Sequence, residues 1–222
     1  KTGATTGFSE TVGLLNLTNS SIIALGTDNH TLTFAASNLV SWTGSTILTV
    51  TGWTGSWNGT TGTAGKIFVG SASGDLTAGQ VAQIQFFSGS TNYPATILST
   101  GEIVPVGQSY YSKASGALNV LGTWTTDITL ATNFPPTNFT DPGQTFYIRN
   151  QAAPTIAASW TVSGTNSKII VGDGTNACNF TVGGALVLTA PTDISANATL
   201  TLSTSGALTG IVFGSLARTS TV

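Results

Sequence analysis

Residues 165–180 read TNSKIIVGDGTNACNF. The stretch holds the single cysteine, a Gly-Asp-Gly turn and one of six basic residues. It can be read as a chemical site or as two strands joined by a turn. Ile169 and Val171 alternate with Lys168 and Ile170, and Gly172, Asp173 and Gly174 close the run. Period-two apolar spacing ended by Gly and Asp is the pattern of a half-buried strand and its turn. Lys, an alternating apolar run and a closing Gly occur earlier as GKIFVG (65–70), which favours a scaffold. Lys168 is then expected as a strand-edge charge that discourages unwanted pairing. Cys178 is expected as a small packing residue, because a reactive thiolate needs a cation or a helix N-terminus beside it.

Similar runs lie on both sides, among them TLTFAA (31–36), TILTVTGW (46–53), TFYIRN (145–150), NFTVGG (179–184), ALVLTA (185–190) and ATLTLS (198–203). Bounded by Gly, Asn, Asp or Ser, they predict an all-β chain. Leu15/Leu17, Leu32/Phe34 and Leu48/Val50 recur about every 16–17 residues, and Ile169/Val171, Leu186/Leu188 and Leu200/Leu202 about every 14–17. Such steps suit a β-solenoid or β-helix in which each coil stacks on the last. Two β-sandwich domains are the alternative. One short helix is expected near 78–85, with Thr77 capping it, Gln80 completing a capping box, and Val81 and Ile84 facing the core. A drop in strand pattern at 105–109 divides the chain into a module over 1–107 with the helix and a second, solenoid-like module over 108–222.

Charged residues make up 6% of the 222 residues and the formal net charge is −2. With no basic patch to neutralise phosphates, nucleic-acid binding is excluded as an expectation. Hydroxyls take the place of charge, with 41 Thr and 23 Ser; Thr is β-branched and suits a half-solvated pleated surface. One Cys makes no internal disulfide, which fits an exported protein that holds together without bridges. No apolar run is long enough for a spanning helix. A first residue of Lys1 and a last stretch of SLARTSTV suggest a piece of a longer parent chain.

Specific segments carry a resemblance. TLTFAAS (31–37), SWTGSTILTVTGWTG (41–55), GTAGKIFVGSASGDLTAGQVAQIQF (62–86) and ILSTGEIVPV (97–106) resemble autotransporter-like passenger segments of Gram-negative surface proteins. YYSKASGALNVLGTW (110–124) and FTDPGQTFYIRNQAAPTIAASWTVSGTNSKIIVGDGT (139–175) resemble modules of large secreted Bacteroidota proteins exported by the type IX secretion system. The resemblance implies an extracellular or outer-surface location and a β-rich architecture. It brings no catalytic signature, and no C-terminal sorting domain lies within these residues.

Most of the eight acidic residues sit in turn contexts (TDN, GDL, TDP, GDG, TDI), where Asp bonds its own backbone. His30 is the only imidazole and no nucleophile elbow accompanies it; it is expected in an exposed turn. Asp173 and Asn176, in GDGTN, make a candidate calcium turn, though calcium β-rolls repeat that motif in tandem; no other cofactor is expected. Trp53 and Trp57, in GWTGSWNGT (52–60), are either core residues or a glycan- or partner-binding surface, since aromatic rings stack on the apolar faces of sugars. The expected function is non-enzymatic: an extracellular structural or adhesive protein, a surface or filament component that self-associates through β-strand contacts or meets other surface proteins or polysaccharide. A carbohydrate-binding module of a secreted enzyme is the alternative.

Overall fold

The computed structural model describes residues 8–183, 188–203 and 212–213. The described chain is all-β, with mixed sheets and one short α-helix. It forms two compact units, Lys1–Gly107 and Gln108–Val222.

Unit 1 contains β1 (Phe8–Leu14), β2 (Ser21–Ala24), β3 (His30–Ala35), β4 (Leu48–Thr51), β5 (Gly65–Val69), α1 (Ala78–Val81), β6 (Ile84–Ser88), β7 (Thr91–Ile97) and β8 (Glu102–Pro105). They build one sheet in the order β1-β3-β5-β8-β7-β6-β4-β2. The chain alternates between two parallel ladders. β1, β3 and β5 form one, with Glu10, Leu32 and Ile67 in register. β2, β4 and β6 form the other, with Ile23, Val50 and Phe86 in register. Antiparallel β7 and β8 then close both, β7 on β6 and β8 on β5. β1 and β2 are left as the two edges. The alternation read in the sequence becomes alternating burial: Leu48 and Val50, Ile67 and Val69, and Ile84 and Phe86 all point into one core cluster. Burying each such side chain contributes about 1.5–3 kcal/mol.

The steps of 16–17 residues prove to be steps between ladders, not along them. Leu32 pairs with Ile67 and Leu48 with Ile84, so a residue meets its in-register neighbour two strands later. Leu15 and Leu17 are buried but follow β1 and belong to no strand. The helix is also shorter than expected. Its capping box forms as read: the Gln80 amide donates to Thr77 Oγ1 at 3.2 Å and the Thr77 amide to Gln80 Oε1 at 2.7 Å. Only one turn follows, because Ile84 is taken by β6, from which it enters the core. Gln80 is itself buried and donates through Nε2 to the carbonyls of Ser37 and Val40, so one side chain caps the helix and satisfies a neighbouring loop.

Unit 2 contains β9 (Gln108–Ser112), β10 (Trp124–Thr125), β11 (Gln144–Ile148), β12 (Trp160–Thr161), β13 (Lys168–Val171), β14 (Cys178–Gly183), β15 (Leu188–Thr189), β16 (Pro191–Ile194), β17 (Ala198–Ser203) and β18 (Val212–Phe213). Its main sheet runs β10-β9-β11-β13-β16-β18, antiparallel only at β10-β9. Two further parallel pairs, β12-β15 and β14-β17, stand beside it. Hairpin sandwiches are antiparallel, whereas both units mix parallel with antiparallel pairs, and these mixed sheets do not make a clear solenoid either. TNSKIIVGDGTNACNF is β13, a turn and the start of β14. Lys168 lies inside the main sheet, between β11 and β16, not at an edge; its ammonium pairs with Asp193 at 3.0 Å. Of the residues whose spacing was noted above, Leu186 lies outside the described residues, as does SLARTSTV.

Candidate functional site

Parallel pairing places residues of like type above one another, and on the outer face of the main sheet of unit 2 it does so with aromatic rings. Phe146 of β11 points inward, so its neighbour Tyr147 points outward, half-buried; Tyr110 and Tyr111 of β9 divide in the same way. Tyr147 lies in register with Tyr111, and the two rings stack with centroids 5.3 Å apart and planes 25° apart. Two residues beyond Tyr147, Arg149 returns to the same face and lays its guanidinium 5.6 Å from the centre of the Tyr111 ring. Such a contact is worth about 0.5–1 kcal/mol at an exposed position and fixes the side chain. Ser109 and Thr145, in register one step earlier, add hydroxyls, and Ile170 continues the row of Tyr111 and Tyr147 onto β13.

Arg149 is poorly served by the protein around it. Nη2 approaches Asp173 Oδ2 at 4.0 Å, beyond hydrogen-bond reach. Nε is buried with no hydrogen-bond partner. Asp173 is committed elsewhere. Oδ1 accepts from the amides of Thr175 and Asn176 at 2.9 and 2.8 Å, and Oδ2 accepts from Asn176 Nδ2 at 2.9 Å. The Asn176 amide, then its side chain and the Thr175 amide, hold the carboxyl at a pKa of about 2, with Arg149 a smaller contributor. Asp173 and Asn176 are adjacent as read, but Asn176 turns its donor end to the carboxylate, and the charge closest to it is a cation. The arrangement is an Asx-turn. Among the described residues no group of three or more His, Cys, Asp or Glu is placed to hold a metal.

Trp53 and Trp57 come together, and both are buried, at 4% and 6% exposure. Their rings meet edge to face at 5.2 Å; Trp53 also meets Phe86 at 5.9 Å, and Trp57 lies 4.5 Å from Tyr93. Neither indole presents a face to solvent, so the glycan- or partner-binding surface is corrected to core. The glycines around them have a packing role. A Cβ on Gly62 would come within 2.8 Å of Trp53 Nε1, and one on Gly55 would overlap the far edge of the same ring. The backbone closes over the indole only where no side chain intervenes.

Two other residues occupy positions the sequence did not disclose, and Cys178 packs as a small residue. His30 is buried at the start of β3, its Nδ1 2.6 Å from the Asp28 carbonyl, not exposed in a turn. Glu102 is 2% exposed: Oε1 accepts from the Gly62 amide at 2.8 Å and Oε2 from the Thr61 hydroxyl at 2.6 Å, while Thr61 accepts from Lys66 at 3.0 Å. It anchors the loop over Trp53. Cys178 is a buried free thiol whose pKa burial raises, the reverse of activation. Tyr147 and Arg149 were not singled out by sequence; the signal was the shared pattern of QSYYS and QTFYI, which becomes informative only once the two are known to pair.

No family model matches the chain, and no curated protein or solved structure is similar to it. No helix among the described residues is long and apolar enough to cross a membrane.

Proposed function

We propose that this is a non-enzymatic structural or adhesive protein of the extracellular space or outer cell surface, solenoid-like in build, that self-associates through its β-strands. The observation that carries the reading is the pair of open edges in unit 1. The sheet ends on β1 and β2, neither of which has a second partner among the described residues. β1 is exposed along its whole length, and Phe8, Val12, Leu14 and Ile22 stand 55%, 41%, 59% and 71% exposed. Phe8 lies in register with His30, in line with the interior positions of β3 and β5, and a register shift between Thr11 and Leu14 then sets Leu14 opposite the exposed Ala35. An edge of this kind is a template for a further strand, with main-chain hydrogen bonds supplying affinity. Low charge supports the same reading, since neighbouring copies repel little. The parallel ladders, in which successive strands return to the same sheet, support the solenoid build.

Multi-angle light scattering and electron microscopy over a concentration series test it. Growth in mass, or fibres, is expected for the wild-type chain. Val12→Lys and Ile22→Lys, both at exposed positions, are expected to hold it monomeric without lowering Tm. A wild-type chain that stays monomeric at high concentration and forms no fibres ends the proposal.

A further inference from the structure

We infer that the outer face of the main sheet of unit 2, around Arg149, Tyr111 and Tyr147, binds an acidic saccharide chain through its carboxylates. The inference extends the adhesive reading by naming what is adhered to, and it rests on a different unit from the strand edges that carry self-association.

Arg149 supplies the first argument. A guanidinium offers five donors in a fixed fork suited to a carboxylate. Among the described residues its one ionic neighbour stands at 4.0 Å, and with Nε buried and unpaired the outer nitrogens are the ones a ligand meets. Partial burial of a cation is costly unless hydrogen bonds compensate it, and Asp173, held by its turn at 4.0 Å, stands too far away to make one. Arg149 is also already positioned, by its contact with the Tyr111 ring, so a ligand need not order it.

The surroundings select the kind of anion. Asp173 beside Arg149 and Asp193 beside Lys168 leave the face close to neutral. A polyphosphate or nucleic acid needs clustered positive charge and meets none. Tyr111 and Tyr147 are stacked with each other, so each offers its rim and hydroxyl more than a free ring face; Ser109 and Thr145 add two further hydroxyls on the same face. Phenol rims, hydroxyls and one guanidinium suit a hydroxyl-rich chain carrying isolated carboxylates. Parallel strands spaced about 4.8 Å apart present these groups as a row across β9, β11 and β13, which suits a linear polymer.

Calorimetric titration in the presence of a chelator tests this, using linear hexamers of galacturonate, mannuronate and glucuronate, with cellohexaose as the neutral arm. At least one uronate hexamer is expected to bind, more weakly as salt is raised, and cellohexaose to bind at least tenfold more weakly. Arg149→Gln is expected to weaken uronate binding roughly 10-fold or more, the loss of a charge-assisted hydrogen bond, and Arg149→Lys to restore it only in part because the fork is gone. Tyr147→Phe removes one hydroxyl and nothing from the stack; a loss of roughly threefold is expected, which keeps the test decisive if the arginine variants fold poorly. Absence of binding by all three uronates, equal binding of cellohexaose, or unchanged affinity in Arg149→Gln and Tyr147→Phe would overturn the inference. Self-association measured alongside fails or survives independently.

Discussion

The two units use one device in different places. Each adds antiparallel strands to its parallel ladders, at a different point in the sheet. Unit 1 ends on the bare strands β1 and β2, and β7 and β8 join its two ladders in the middle. Unit 2 has its antiparallel pair at one end, where the two-residue strand β10 turns back onto β9, and runs on in parallel from there. Each unit also buries one acid, Glu102 in β8 of unit 1 and Asp141 in unit 2, where Asp173 and Asp193 sit less deeply, in a turn and an ion pair. Both sets of antiparallel strands carry aromatic packing, Tyr93 of β7 against Trp57 and Trp124 of β10 against Phe146 and Trp160, and unit 1 adds the buried polar anchor Glu102 on β8.

If that contrast is structural, the largest effects come from the two cores and are alike in size. Phe86 and Phe146 are each fully buried and each meets a tryptophan edge to face. Phe86→Ala and Phe146→Ala are each expected to cost about 3–5 kcal/mol by urea denaturation. Near-neutral behaviour of either one would show that its unit does not depend on this core.

The acids should separate the units next. Glu102→Ala removes both acceptors from the loop over Trp53 and strands the Gly62 amide, at a cost of about 1–3 kcal/mol. Glu102→Gln keeps one acceptor and should cost less. Asp193→Ala breaks a pair in which Lys168 is 43% exposed, and exposed pairs are worth about 0–1 kcal/mol. Denaturation midpoints measured side by side check the order; an Asp193→Ala loss as large as that of Glu102→Ala would remove the contrast.

These residues also mark how far the sequence could be read. Strand alternation was legible because it is a local pattern: the inward residues of TILTV, GKIFV and SKIIV are those the alternation selects. Partner choice was not, since a strand and its in-register neighbour are separated by a visit to the other ladder, and regular spacing of 16–17 residues looked like stacking. Nothing in GWTGSWNGT announces the physical use of its glycines, which is close approach to a ring. Glu102 looked like any of eight acids, because nothing local announces that Thr61 and Gly62, about 40 residues earlier, will come to it. The Arg149 face needed the register of two strands 36 positions apart.

The smallest effect is a matter of pH. In unit 2 the Asp173 turn holds its carboxyl at about 2, against an ordinary value of 3.8, chiefly through the Asn176 amide. A depressed carboxyl pKa adds stability that is complete above the unfolded value and disappears as pH falls through the folded one. The contribution of Asp173 is therefore whole above about pH 4 and lost between there and about pH 2. Asp173→Ala is expected to lower stability by about 1 kcal/mol near neutral pH, the scale of lost turn hydrogen bonds, and the gap from wild type should close across that window. Asp127 is likewise held well below the ordinary range, by the hydroxyls of Thr129 and Thr132 first, so Tm against pH must be compared between wild type and Asp173→Ala rather than read from the wild type alone. A gap that persists unchanged at pH 2 would mean that Asp173 acts through the shape of the turn and not through its charge. Unit 2 would then keep its surface acids for geometry, as unit 1 keeps Glu102.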